Sequence, residues 1–420
     1  MGPRMARSPG PRIFGAALAL AFLMTACAPV LPGNRMLRDL DVAPPFPAFA
    51  RLPTEAPTIS SGTFGWPIMV FDPGVYADAE GYHLFFTTPF CRRDGTRSYS
   101  WDPAHPLDCD IIDALGSIAY AFSADRGRTW MFRRTPVVLP PTSGFDSAKI
   151  ETAHVFRVGD TLYLTYSADG DRGGRKLPSR YQIGIAKLEL RGRSVRDALM
   201  DPSQRFERRP TPWLSFDLTP GRFDNNVQEP SVVVRDGRIE LYYIGLGLSL
   251  PEEPIDAPGQ AIESVALGRA EYDLGLHLLS RSRAPLTDFV NLTEVRYFDG
   301  RYHMFASTLV GGEFHRDEEI SYATSSDGLV WSPETVILSL RKRPGWDAWG
   351  MMAPTVAVED DRVVLFYTAY EAARHRCFPV PKNGRFGMPV AGGSKCLFAT
   401  LGRAVSLRRR LPSVPTSPPP

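Results

Sequence analysis

A phrase of 12 to 15 residues returns five times along this chain: an extended segment, a tight turn, and a strand rich in Tyr, Phe and Leu. The copies run from Asp72-Pro73 to Phe86, from Glu151-Thr152 to Leu164, from Glu229-Pro230 to Tyr243, from Glu294-Val295 to Phe305 and from Ala353-Pro354 to Tyr367. Asp-Gly and Gly-Asp pairs at the turns supply the positive φ that a two-residue hairpin demands. A second phrase follows some copies, at Ile118–Trp130 and Ile320–Trp331, with weaker versions at Tyr181–Leu190 and Ala266–Ala270. Each gives a third strand, a polar turn and a fourth strand. Recurrence of this kind marks stacked units, and four antiparallel strands per unit make a propeller blade. The expected fold is therefore all-β, a five-bladed β-propeller with four-stranded antiparallel blades. The copies lie about 60–80 residues apart, and long loops at 89–116, 169–180 and 247–262 absorb the excess. Roughly 340 residues exceed the usual single core, a limit that a stacked array evades.

The flanks have a different character. Arg4, Arg7 and Arg12 precede a short apolar run, Ile13–Met24, that ends Met24-Thr25-Ala26-Cys27. Such a run is too short to span a bilayer, which takes about 20 residues; with its positive start it reads as a secretory signal. The ending resembles a bacterial lipobox, with Met24 in place of the usual Leu, and implies lipidation of Cys27; an ordinary signal peptide with a chance Cys is the alternative. Ala28, not Asp, follows the Cys, which by resemblance to Gram-negative sorting favours the outer membrane. The expected organisation is a signal over 1–27, a Pro-rich tether over 28–62, the propeller over 63–406 and a Pro-rich disordered tail over 407–420. The remaining cysteines agree with export. Cys91 lies 18 residues before Cys109, and Cys377 lies 19 before Cys396. Of the three pairings that four cysteines allow, the two local ones are favoured. No C-x-x-C spacing suggests zinc. With a formal charge of +2 and no long basic block, the chain shows no footprint for nucleic acid. A monomer is expected, with the membrane touched through the lipid anchor only.

In a propeller the first strand of each blade lines the axis, so residues at its entrance face an axial pocket. Four copies place an acid there: Asp72, Glu151, Glu229 and Glu294; the fifth has Ala353. Asp72 and Glu229 each stand 13 residues before the closing aromatic pair, while Glu151 and Glu229 each stand 8 before the turn glycine. Glu294 is only 6 before its glycine, which loosens its register. Confined carboxylates raise one another's pKa, so that one stays protonated while another stays ionised. Glycosidic-bond cleavage uses such a pair: one carboxyl protonates the leaving oxygen, and one carboxylate attacks or activates water.

The segment Asp72-Pro73-Gly74 with Gly81-Tyr82-His83-Leu84-Phe85-Phe86 resembles the first-blade motif of the five-bladed glycoside hydrolase superfamily. That group includes the family 43 arabinanases and xylosidases and the family 32 and 68 invertases and levansucrases. The resemblance covers about residues 65–405. It implies that Asp72 is the base or nucleophile, that Glu229 before Pro230 is the general acid, and that Glu151 tunes that acid and contacts substrate. Three features depart from the family: Glu151 stands where an Asp is usual and is followed by Thr152 and not Pro; Glu229 touches Pro230 directly; and no clean Arg-Asp-Pro motif is found.

Each residue also has a plainer reading: a turn for Asp72, a strand-entrance cap for Glu229, a surface ion pair with Lys149 for Glu151 and a structural acid in Glu294. Trp66, Trp346 and Trp349 precede blades one and five and could stack on sugar rings or pack between blades. His154 is a site residue or a packed core histidine; Asn225 and Asn226 hold hydroxyls or form a turn. Asp125 and Asp327 belong to repeated turns and are read as structural. The run Ser123–Trp130 fits the sialidase Asp-box, but that box is a turn, and neither six blades nor an Arg-Ile-Pro motif accompanies it. The competing functions are a glycoside hydrolase acting on an oligo- or polysaccharide and a non-catalytic carbohydrate-binding or scaffold propeller. No cofactor is expected; a structural divalent cation on the axis is compatible with the fold, although no ligand cluster announces one.

One outcome follows from the lipobox-like ending. Cys27→Ser should abolish fatty-acid labelling and release the protein from the membrane fraction; unchanged labelling and fractionation would exclude the anchor.

Overall fold

The structure, a computed structural model, describes residues 49–52, 56–59, 70–91, 114–133, 135–170, 180–251, 259–288, 290–309, 318–340, 345–373, 388–389 and 396–407. Within them it is a five-bladed β-propeller. Each blade is an antiparallel sheet; blades 1 to 4 run outward from the axis in chain order, and blade 5 does so until its outermost strand. Blade 1 contains β2 (Phe71–Ala77), β3 (Tyr82–Cys91), β4 (Ala114–Ser123) and β5 (Met131–Phe132). Blade 2 contains β6 (Lys149–Val158), β7 (Thr161–Asp169), β8 (Gln182–Glu189) and, after the short helix α1 (Val195–Met200), β9 (Glu207–Arg208). Blade 3 contains β10 (Asn226–Arg235), β11 (Arg238–Leu248), β12 (Ile262–Asp273) and β13 (Leu278–Arg281), with β14 (Thr287–Asp288) also paired to β12. Blade 4 contains β15 (Asn291–Phe298), β16 (Arg301–Leu309), β17 (Glu318–Ser325) and β18 (Thr335–Leu338). Blade 5 contains β19 (Gly350–Val358), β20 (Arg362–Ala373) and β22 (Cys396–Leu407), with the short β21 (Met388–Pro389) on β22. Its outermost strand is β1 (Ala50–Arg51), where Ala50 faces Val405 and Arg51 faces Ala404.

The innermost strands pack on one another in a closed ring, β2 on β6, β6 on β10, β10 on β15, β15 on β19 and β19 on β2. Contact there is close: a Cβ on Gly74 would lie 2.0 Å from the Ala153 carbonyl oxygen, so the Gly of Asp-Pro-Gly lets β2 approach β6. The hydrophobic core is a set of slabs, one at each blade–blade interface. Phe85 and Tyr120 meet Val155 and Leu164; Ile183 and Ile185 meet Val232 and Leu241; Tyr242 and Ile244 meet Val295 and Met304; Phe305 and Tyr322 meet Met351 and Leu365; Val364 and Phe366 meet Leu84 and Phe86. A strand covered on both faces has no reason to alternate, and β11 is buried from Ile239 through Leu248.

Two devices tie the blades. In blades 2, 3 and 5, an aspartate from the loop before the inner strand accepts from a second-strand tyrosine and pairs with an outer-strand arginine. Tyr166 donates to Asp146 (2.9 Å), which Arg208 also grips. Tyr243 donates to Asp224 (3.1 Å), as does Arg281 Nε (2.9 Å). Tyr367 donates to Asp347 (3.4 Å), as does Arg51 Nε (2.5 Å). Each of these tyrosines lies over a third-strand glycine, Gly184, Gly268 or Gly402, where a Cβ would meet the ring at 2.3–2.4 Å. In blades 1 and 4, the third strand ends in an Asp-box turn. Asp125 accepts from Ser123 Oγ (2.8 Å) and from the N–H groups of Arg128 (3.0 Å) and Thr129 (2.8 Å); Asp327 accepts likewise from Ser325, Leu329 and Val330. Both aspartates are therefore turn formers: burial raises the Asp125 carboxyl, but these hydrogen bonds together outweigh it, and they lower both carboxyls to about 2.

The closing strand comes from a segment that composition groups with the tether. Arg51 sits on β1, and Ile59 is fully buried and bridges Leu401. Arg51 thus stands in blade 5 where Arg208 and Arg281 stand in blades 2 and 3. Asp347 has no exposed surface, whereas 17% of the Arg51 side chain is exposed. Removing one partner of a buried pair strands the other, at a cost of roughly 3 kcal/mol. Arg51→Ala should therefore lower unfolding stability in urea by about that much, and Arg51→Ala with Asp347→Asn by less than the sum of the two single changes; additivity would show that the pair does not close the ring.

Candidate active site

At the head of every inner strand the pairing with the second strand slips, and two residues bulge toward the axis. The slips fall between Phe71 and Gly74, Glu151 and His154, Gln228 and Ser231, Asn291 and Glu294, and Met352 and Thr355. The first bulged residue has a positive φ each time: Asp72 at 49°, Thr152 at 53°, Glu229 at 57°, Leu292 at 43° and Ala353 at 51°. Non-glycine residues adopt this conformation at a cost of about 1–3 kcal/mol each, and a β-branched residue such as Thr152 is a true outlier. Five equivalent outliers are a designed feature. They ring a small axial cavity of about 30 Å³, with His154 and Glu294 one layer below.

This geometry corrects the register drawn from the sequence. The residue equivalent to Asp72 and Glu229 in blade 2 is Thr152, not Glu151. The reason is the turn: Val158 pairs with Thr161 around Gly159-Asp160, whereas Arg235 pairs with Arg238 around Asp236-Gly237. Glycine comes first in one hairpin and second in the other, so counting back from it shifts blade 2 by one. In blade 4 the entrance residue is Leu292, and Glu294 lies two residues further along the axis.

Glu151 nevertheless bears on the same site. Its carboxylate pairs with Lys149 Nζ (2.6 Å), which also donates to Tyr181 Oη (2.6 Å). Burial pushes the Asp72 carboxyl well above its ordinary value, and the charges of Glu151 and Glu318 push it further while Lys149 pulls it back. Burial likewise raises Glu229; the Leu292 N–H opposes this, and Asp72, Glu151 and Glu318 add to it. Asp72, expected to be the readily ionised partner, is thus also raised, and its charge bears on Glu229. Glu229 is held at both oxygens: Leu292 N–H donates to Oε2 (2.6 Å) and Gln228 Nε2 donates to Oε1 (3.0 Å).

Glu318, almost fully buried, is a residue that sequence reasoning missed. It opens the third strand of blade 4, two residues before Ile320, just as Tyr181 lies two residues before Ile183 in blade 2. Aligning third strands in this way could have found it. Tyr370, buried beside the set, has its phenol pushed up by burial and by the charges of Asp72, Glu318 and Glu151, which keeps it a proton donor.

The other expected residues separate. His154 faces Glu294 Oε2 with Nδ1 (3.1 Å) and the Val232 carbonyl with Nε2 (3.2 Å). Glu294 also grips Arg296, whose Nη2 donates to the Val75 carbonyl (2.8 Å). Burial pushes Glu294 up, but Arg296 and His154 outweigh it and hold its carboxyl below the ordinary value. These contacts lace blades 1 to 4 across the axis. They fit a divalent cation poorly, because the Glu294 carboxylate beside His154 is already paired with a guanidinium. Asn226 is fully buried at the start of β10, and neither of its amide atoms has a hydrogen-bond partner among the described residues. Asn225 forms the turn, donating to the Asp217 carbonyl (2.6 Å) and accepting from Leu248 N–H (2.9 Å). Trp346 stacks on Tyr367 within the core and so packs blades. Trp349 is half-buried outside the cavity lining, and its backbone N–H donates to the Tyr370 carbonyl (3.1 Å). Cys27, Trp66, Cys109 and Cys377 lie outside the described residues, as do the side chains of Cys91 and Cys396.

A ring of five blades with acids at the inner-strand heads can be compared with solved structures. A family 117 glycoside hydrolase of the marine bacterium Zobellia galactanivorans matches 87% of this chain and 92% of its own, with a TM-score of 0.53 and 16% identity. A structure described as a glycoside hydrolase matches 89% and 95%, with a TM-score of 0.52 and 10% identity. A structure described under the family 130 mannoside phosphorylases, and the glycoside hydrolases among them that target β-1,2-mannosidic linkages, matches 86% and 95%, with a TM-score of 0.52 and 11% identity. The shared property is the fold. No protein-family profile and no curated protein matches the chain.

The raised carboxyls make a prediction about stability. A native carboxyl with a raised pKa binds its proton where the unfolded one has lost it, so the native state carries more protons and stability falls as pH rises through that interval. For Glu229 the interval starts at the ordinary value of 4.5 and extends upward. Glu229→Gln should thus raise the thermal midpoint at pH 7, by roughly 2–4 °C per kcal/mol gained, and the gain should vanish near pH 4. A gain that persists at pH 4, or none at pH 7, would contradict the raised pKa.

Proposed function

We propose that this protein is a glycoside hydrolase that cleaves, or transfers, glycosyl units of an oligo- or polysaccharide in the axial pocket. The observation that carries this reading is the convergence of Asp72 and Glu229, from two inner-strand heads, on one axial cavity, with both carboxyls raised by burial and by the charges of Glu151 and Glu318. Two acids in one desolvated pocket, with the charges of two more acting on them, destabilise the fold, so their presence calls for a chemical use. The fold shared with several glycoside hydrolases supports the same reading. The cation Lys149 lowers the pKa of Asp72, while Glu229 has three like charges around it and a neutral N–H as its counterweight. That asymmetry favours the proton on Glu229, the general acid, and the negative charge on Asp72, the base or nucleophile. Glu151 and Glu318 sustain the difference, and the unpartnered amide of Asn226 is suited to a sugar hydroxyl. The leader ending at Cys27 supports export and display on the outer membrane, where such a substrate is met.

Loss of the acid and loss of the base should separate with the leaving group. Glu229→Gln should cut kcat/KM on alkyl glycosides by about 10²–10⁴-fold and on dinitrophenyl glycosides far less, since a good leaving group needs little protonation. Asp72→Asn should cut both alike. Kinetics across a panel of furanosides and pyranosides would check this; glycan binding without cleavage of any of them would favour a binding module.

A further inference from the structure

The five positive-φ residues each present a backbone N–H to the preceding blade. In four junctions a hydroxyl receives it, and that hydroxyl always comes from the second-strand residue paired opposite the start of the bulge. Asp72 N–H donates to Thr368 Oγ1 (2.8 Å), Thr152 N–H to Thr87 Oγ1 (3.0 Å), Glu229 N–H to Ser167 Oγ (2.7 Å) and Ala353 N–H to Ser307 Oγ (3.0 Å). Thr368 pairs with Met352, Thr87 with Phe71, Ser167 with Glu151 and Ser307 with Asn291. The fifth junction, between blades 3 and 4, breaks the rule. The residue opposite Gln228 is Ile244, fully buried and without a hydroxyl. The amide left over, that of Leu292, donates to Glu229 Oε2 (2.6 Å).

We propose that Ile244 is a positioning residue: by withholding the hydroxyl that the other four blades supply, it leaves the Leu292 N–H to the carboxylate of Glu229 and fixes that carboxylate at the axis. Leu292 sits at φ 43° in the ring, so its N–H cannot turn away and must be met by whatever the junction offers. A hydroxyl at position 244 would compete for it directly. The acids facing Glu229 are Asp72 on β2, Glu151 on β6 and Glu318 on β17, with Lys149 and Tyr181 gathered around Glu151. None of these acids can donate a hydrogen bond to Glu229 while ionised. The Leu292 N–H is thus the backbone donor that supports its charged form and orients it. The catalytic consequence rests on Glu229 being the general acid; the exchange of hydrogen bonds does not.

Threonine and valine have the same shape, so Ile244→Thr and Ile244→Val differ only in the hydroxyl. The measurement is the titration of Glu229 by carbon NMR of protein labelled at the glutamate carboxyl carbon, the signal assigned by its loss in Glu229→Gln. Ile244→Thr should move that titration upward by about one pH unit relative to Ile244→Val, the worth of one hydrogen bond to a charged group. Where glycosidase activity is present, the basic limb of kcat/KM should move with it. Ile244→Ser, which copies Ser167 and Ser307, provides a second route to the same shift should the threonine variant not fold. Equal titrations in the hydroxyl variants and in Ile244→Val would overturn the inference. A shifted titration in a protein that cleaves no glycoside would support it and reject the proposed function instead.

Discussion

The propeller depends on the bulge at the head of each inner strand. Hydrogen-bond pairing with the second strand runs regularly up to that point, stops, and resumes with one residue held at positive φ. The strained conformation aims the entrance side chain at the axis and the backbone N–H at the neighbouring blade. At four of the five junctions a hydroxyl satisfies an amide that would otherwise be buried alone, at a cost of about 1–3 kcal/mol. The same hydrogen bond closes the junction between blades. Axial convergence of side chains is therefore a property of the backbone, and chemistry enters through the residue that occupies each of five equivalent positions. Here they are Asp72, Thr152, Glu229, Leu292 and Ala353. Two acids, separated by a threonine and followed by two apolar residues, make the axis asymmetric.

That asymmetry has an electrostatic price in folding stability. Asp72 and Glu229 are desolvated and both feel the charges of Glu151 and Glu318, Glu229 that of Asp72 as well, and every one of these effects disfavours ionisation. Lys149 offsets part of it, held by Glu151 and Tyr181 at the edge of the site. One layer down, the balance is reversed: Glu294 is flanked by Arg296 and His154, and its charge is stabilised. The axis thus holds two stacked regions of opposite character, an upper one in which protons are retained and a lower one in which charges are paired. The lower layer bridges four blades and makes a rigid floor for the upper one.

Much of this was legible in the sequence because a propeller repeats. The hairpin phrase located each inner strand, and the Asp-box marked the turns of blades 1 and 4. What escaped has physical causes. Gly159-Asp160 and Asp236-Gly237 make hairpins of equal length with the glycine on opposite sides, so a glycine-anchored count placed Glu151 one residue out. Glu318 escaped because its strand opens beyond the span of the repeated phrase. The closing strand escaped because Ala50 and Arg51 lie in a Pro-rich stretch whose composition suggests a tether; only the partner strand β22 gives them a conformation.

The blades also fall into two kinds, and the division explains how the ring is closed. Blades 1 and 4 pair a second-strand histidine with a third-strand tyrosine, His83 with Tyr120 (2.8 Å) and His303 with Tyr322 (2.7 Å), and both end in Asp-box turns. Blades 2, 3 and 5 carry the aspartate–tyrosine–arginine clasp instead. The box turns project onto neighbouring blades: a Cβ on Gly127 would lie 2.9 Å from the Phe366 ring of blade 5, and one on Gly328 would lie 2.3 Å from Tyr242 Oη of blade 3. Each box thus packs against a clasp-bearing blade that precedes it around the ring. Blade 5 is the place where the chain must join its own beginning, and there both devices meet. The blade 1 box packs on Phe366 from one side, and Arg51, arriving from the N-terminal side of the chain, completes the clasp on Asp347. Closure is therefore achieved with the contacts that already define the other junctions. The strand that joins the ends needs to be only two residues long, because one of them is the arginine that the clasp requires.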